Sequence, residues 1–162
     1  MKLLLDSIRN VEVLNLDCSS NCQDWLLSVD IFTKWKLTKL SMNELTIPLI
    51  MNIIQKKNEL IYIELLDCQM DDTIIITIAQ YCPKLEKLVL NSKKLTYTSL
   101  IALSERGLPL KELVILNYMS ILNIPTAALA AECAHSLSCI YTLTTNGLFY
   151  SLYNKVKSID FK

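Results

Sequence analysis

A pattern that returns about every 25 residues constrains this chain more than any other feature. Apolar residues at positions 1, 4 and 6 of a short segment recur as Val11-Leu14-Leu16, Leu37-Leu40-Met42, Leu60-Ile63-Leu65, Leu85-Leu88-Leu90 and Leu110-Leu113-Ile115. The starts lie 26, 23, 25 and 25 residues apart, and eleven of the fifteen positions are Leu although only 30 of the 162 residues are. Residue identity, not hydrophobicity alone, therefore carries the repeat. Fainter copies follow at Leu137-Ile140-Thr142 and Val156-Ile159-Phe161.

Between these segments lies apolar sequence with helical spacing, and several stretches open on helix-start signals: Asp71 and Asp72 precede Thr73, and Pro48 and Pro125 fall where a first turn tolerates proline. The spacing predicts helices over 2–9, 24–33, 48–57, 72–81, 98–105, 126–135 and 147–154. A five- or six-residue strand and an eight- to ten-residue helix cannot bury their apolar sides alone. Stacked units can. The expected fold is a single α/β domain over 1–162, a solenoid of about six or seven repeats with a curved parallel sheet on the concave side and helices on the convex side.

The third unit carries a more specific signature: Cys68 at position 9, Met70-Asp71-Asp72 at the turn into the helix, and Cys82-Pro83-Lys84-Leu85 leading into the next strand. It resembles the cysteine-containing leucine-rich repeat of the ribonuclease-inhibitor-like superfamily. The fourth unit keeps Leu95-Thr96 and a helix with Leu100-Ile101-Ala102-Leu103, but Lys93 takes the place of the cysteine and Leu108-Pro109-Leu110 that of the Cys-Pro lead. Proteins with this repeat are most often F-box proteins, whose repeats hold a substrate for a cullin-type ubiquitin ligase. The resemblance implies a substrate-recognition repeat region, or a derivative lacking the F-box; a stand-alone scaffold or inhibitor is the alternative. No F-box is visible ahead of the repeats, so a link to the ligase would run through a missing segment, and the bare ends of the pattern suggest a piece of a longer array.

Composition narrows the partner class. Sixteen Lys and Arg balance sixteen Asp and Glu, which removes the electrostatic footprint of a nucleic-acid or polybasic membrane-surface protein. Mean hydropathy is +0.33, yet the longest weakly polar stretch, 126–143, carries Glu132 and His135 and makes a poor spanning helix. The expected partner is another protein, with no nucleic acid and no membrane, in the cytoplasm or nucleus.

The sequence offers no catalytic centre and no cofactor site. Only Gly107 and Gly147 are present, too few for a phosphate-cradling loop. His135 is the sole histidine, and Cys133 two residues before it would not share its helix face. A hydrolase would need another cysteine to reach His135, and a zinc site would need four cysteines drawn from distant segments. Cys68 and Cys82 read as small buried hydrophobes rather than reactive thiols. Trp25 and Trp35 read as packing residues, with Lys34-Trp35-Lys36 as an exposed anchor the alternative.

Strand alternation turns positions 3, 5 and 7 away from the core. Those positions put Lys39, Tyr62, Glu64, Leu66, Lys87, Val89, Asn91, Glu112, Val114 and Leu116 on one face. An apolar group rimmed by charges of both signs has the composition of a protein-binding patch, and an ordinary solvated face is the alternative.

Overall fold

The computed structural model describes residues 10–17, 30–68, 70–91, 95–116, 139–143 and 149–153. Its strands are β1 (Val13–Asp17), β2 (Lys39–Asn43), β3 (Tyr62–Leu66), β4 (Lys87–Asn91), β5 (Glu112–Leu116), β6 (Cys139–Leu143) and β7 (Phe149–Tyr153). Among the described residues three α-helices alternate with them: α1 (Ile47–Ile54), α2 (Asp72–Tyr81) and α3 (Tyr97–Glu105). A short 3-10 helix at Asp30–Lys34 precedes β2.

The strands form one sheet in chain order, β1 to β7. The pairings from β1 through β6 are parallel, and each aligns the repeat with itself: Leu14 with Leu40, Leu40 with Ile63, Ile63 with Leu88, Leu88 with Leu113 and Leu113 with Ile140. Parallel neighbours need a crossover, and the helices supply it.

Positions 4 and 6 of β2 through β5 (Leu40, Met42, Ile63, Leu65, Leu88, Leu90, Leu113 and Ile115) are buried in one cluster with Leu49, Ile50, Ile53 and Ile54 of α1 and Ile74, Ile75 and Ile78 of α2. The helices therefore cover this face of the sheet. β1 is less covered: Leu14 and Leu16 are only partly buried against the cluster, and Val13 is 53% exposed.

The entry to each strand repeats one hydrogen-bond motif. The position-2 carbonyl of a unit accepts from two successive amides of the next: Glu12 from Thr38 and Lys39 (2.8 and 3.0 Å), Thr38 from Ile61 and Tyr62 (2.8 and 3.1 Å), Ile61 from Glu86 and Lys87 (2.9 and 3.0 Å), and Glu86 from Lys111 and Glu112 (2.7 and 3.1 Å). At the strand exits Glu44 and Asp67, equivalent positions in successive units, both take the left-handed backbone (φ 57 and 48). Aspartate tolerates that region better than glutamate does.

Helix starts differ in kind. Asp71 caps α2 by accepting from the Thr73 amide at 3.0 Å, and Thr96 caps α3 by accepting from the Thr98 amide at 3.2 Å. α1 has proline in its first turn and no side-chain cap bond from Thr46. The Asp72 carboxylate reaches over to the next unit, accepting from the Thr96 amide at 2.7 Å and from its hydroxyl.

The helix expected over 72–81 has those bounds; those over 48–57 and 98–105 run Ile47–Ile54 and Tyr97–Glu105. The described end of the expected 24–33 helix is 3-10, not α. Expected helices 2–9 and 126–135, and the repeat segment at Val156-Ile159-Phe161, lie outside the described residues.

The helix expected over 147–154 is a correction. Phe149–Tyr153 is a strand, antiparallel to β6, with Cys139 opposite Tyr153 and Leu143 opposite Phe149. Phe, Tyr and Ser are poor helix formers, and aromatic residues suit a pleated surface beside an available strand. The last described pairing is thus antiparallel, unlike those before it. Among the described residues no helix is long and apolar enough to cross a membrane.

Candidate protein-binding face

The face opposite the helices is built from rows, because parallel pairing in register places equivalent residues side by side. Position 3 gives Val13, Lys39, Tyr62, Lys87 and Glu112; position 5 gives Asn15, Ser41, Glu64, Val89 and Val114. Position 7 gives Asp17 beside Asn43 beside Leu66, and Asn91 beside Leu116. The ten residues singled out from sequence all stand on this face of the sheet.

Their environments are not alike. The Lys87 ammonium sits 2.6 Å from a Glu112 carboxylate oxygen and 6.0 Å from the centre of the Tyr62 ring. The geometry is that of a cation over an aromatic face, held by an ion pair across adjacent strands. Both partners of the ion pair are about 40% exposed, so the pair contributes at most about 1 kcal/mol of stability. Its larger effect is to fix two long side chains and cancel their charges. Glu64 is held in the same manner: it accepts from the Ser41 hydroxyl at 2.8 Å and from the Tyr62 hydroxyl. Partial burial pushes the Tyr62 phenol above its ordinary value, the Glu64 charge and hydrogen bond add to the rise, and Lys87 opposes it.

Leu66, Val114 and Leu116 are half-buried and present apolar surface. Val89 departs from expectation. It occupies the same row as Val114 and Glu64, yet it is only 8% exposed, so it is a floor between its neighbours and not a contact surface. Asn91 is engaged in structure, its amide donating to the Asp67 carboxylate at 2.8 Å, as Asn43 donates to Asp17 at 3.2 Å. Lys39 is exposed, and among the described residues it is the charged side chain of this face that meets no partner. Ser41 was legible as a face residue from its row but not as the group that anchors Glu64.

The geometry repeated from unit to unit explains the cysteines. Cys68 donates to the Met42 carbonyl at 3.5 Å and Cys82 to the Lys57 carbonyl at 3.8 Å, each reaching back to the preceding unit. Burial pushes both thiols up, Cys82 to about 12. Neither is poised as a nucleophile, which needs a thiolate. Cys133 and His135 lie outside the described residues, as does Trp25. Trp35 is buried, edge-on to Phe32 at 5.8 Å, so it packs rather than standing out as an exposed anchor. Among the described residues no group of three or more His, Cys, Asp or Glu is placed to hold a metal ion.

Lys57 was not anticipated. It falls at the end of the helix expected over 48–57, yet it is only 5% exposed and its ammonium donates to the Trp35 carbonyl of the preceding unit. Only stacking brings that carbonyl within reach, so no local signal announces it.

Compared with protein-family models and with curated proteins, the chain matches none. The functional reading therefore rests on the geometry above.

Proposed function

We propose that this chain is a leucine-rich-repeat solenoid of the cysteine-containing kind whose open sheet face recognises another protein, as the substrate-recognition repeats of F-box-type ubiquitin-ligase receptors do, or as a derivative lacking the F-box. One observation carries the reading. On the open face the charges of Lys87, Glu112 and Glu64 are already satisfied by one another and by Tyr62 and Ser41, while Leu66, Val114 and Leu116 remain half-exposed beside them. An apolar centre with a pre-ordered polar surround loses little side-chain freedom on binding, which is what a protein interface requires. The reading assigns no catalytic step to the chain.

In-register alignment of the five clear units supports the solenoid, because each strand and helix gains its burial from the neighbouring unit. The test is affinity capture with three forms of the chain. A partner bound by the native chain should be lost with Leu116→Asp and kept with Gln80→Ala, an exposed change on α2 across the sheet. Loss with Gln80→Ala and retention with Leu116→Asp would place binding on the helical side and overturn the reading. The ubiquitin link is tested apart: recruitment of a cullin-ligase adaptor by the purified chain supports the receptor form, and its absence favours a stand-alone scaffold.

A further inference from the structure

The geometry points to a partner of definite chemistry: a linear protein segment that sets an Asp or Glu carboxylate on Lys39 and an apolar side chain on the Leu66, Val114 and Leu116 patch. This deepens the reading that the open face binds protein and rests on it. The argument is one of charge and spacing. Lys87 is neutralised by Glu112, and the Glu64 carboxylate is occupied by Ser41 and Tyr62, so these residues offer an incoming group no free charge. Lys39 does, since it is exposed, lies on the neighbouring strand in register with Tyr62, and has no partner among the described residues.

A basic partner residue would find no unpaired carboxylate in the Lys39–Tyr62–Lys87–Glu112 row; an acidic one finds the exposed Lys39 ammonium. Leu66 stands one strand from Lys39 and four positions further along, Val114 three strands and two positions, and Leu116 three strands and four positions, on the order of 14 to 20 Å at ~4.8 Å per strand and ~3.3 Å per residue. Roughly four to six residues of extended chain span that distance at ~3.3 Å each. The occupant thus carries its acid and its apolar anchor close together in sequence. The intervening Tyr62 ring and the ordered Lys87–Glu112 pair form the uncharged ground between them.

A random linear peptide library displayed on phage and panned against the whole chain tests this. The expected result is enrichment of peptides that pair an Asp or Glu with a Leu, Ile or Phe four to six residues away. For an enriched peptide, changing its acid to the amide should weaken binding roughly three- to fivefold, the worth of one exposed ion pair, and should have no effect on the Lys39→Ala chain. Panning on Lys39→Glu should exchange the acid for Lys or Arg while keeping the apolar residue. Circular dichroism checks that both variants fold. If Lys39→Glu selects the same acidic peptides at unchanged affinity, or no peptide enriches, the proposal is overturned. If enriched peptides instead bind Lys39→Glu and Leu116→Asp chains alike, the open face is not the binding face and the underlying reading falls with it.

Discussion

Cys82 shows how far one side chain is fixed by its place in the stack. Its thiol is fully buried, donates to the Lys57 carbonyl, and is pushed up to about 12 by loss of hydration. The folded chain therefore holds that proton in a range where the unfolded chain releases it, from the ordinary thiol value of 9.0 upward. The contribution to stability is fully present below pH 9 and is lost as pH rises toward 12, at a slope of at most about 1.4 kcal/mol per pH unit for a single group. Urea midpoints measured at pH 8, 9 and 10 should fall more steeply for the native chain than for Cys82→Ala. Equal slopes would mean that the thiol is hydrated in the folded state. The structural role of Cys82 was legible because Cys-Pro-x-Leu stands immediately before a strand. Lys57, in contact with it through its carbonyl, was not: its buried ammonium depends on a Trp35 carbonyl 22 residues away, a distance no local pattern spans.

Elements were legible where sequence carried both a start signal and neighbours to stack on. α2 has the Asp71 cap, an apolar face of Ile74, Ile75 and Ile78, and partners on both sides in α1 and α3, and its bounds match the expectation at each end. Asp71→Ala removes the cap bond to the Thr73 amide and should cost about 1 kcal/mol, seen as a lowered thermal midpoint with the fold retained. A midpoint unchanged from the native chain would show that the amide finds water as readily. Phe149–Tyr153 failed for a related reason. Its residues admit either periodicity over so short a span, and the choice was made by the unpaired edge of β6, which only the assembled sheet provides. The candidate face was legible as a set of positions, since alternation assigns it, but the exposure of each member was not. Val89 and Lys39 differ in what crowds them, and that is a property of neighbouring strands.

For the molecule as a whole, the core is one cluster threaded through every unit from Phe32 to Ile115, so damage at one unit is felt by its neighbours. Leu88 lies at the centre of that cluster with no exposed surface, while Lys87, one residue earlier, stands on the open face. Leu88→Asp places a carboxylate where nothing solvates it and should leave the chain unfolded by circular dichroism. Lys87→Glu sets like charges beside Glu112 and should cost no more than about 1 kcal/mol, leaving a native spectrum and altered binding. Equal loss of structure in both would contradict the register. The paired carbonyls at the strand entries have a practical consequence of another sort. A peptide oxygen that accepts two amide protons vibrates at lower frequency than one that accepts a single proton, and Ile61 supplies such an oxygen between β3 and β4. An isotope label on that carbonyl would give an infrared band that reports whether two adjacent strands stay joined, without altering any side chain.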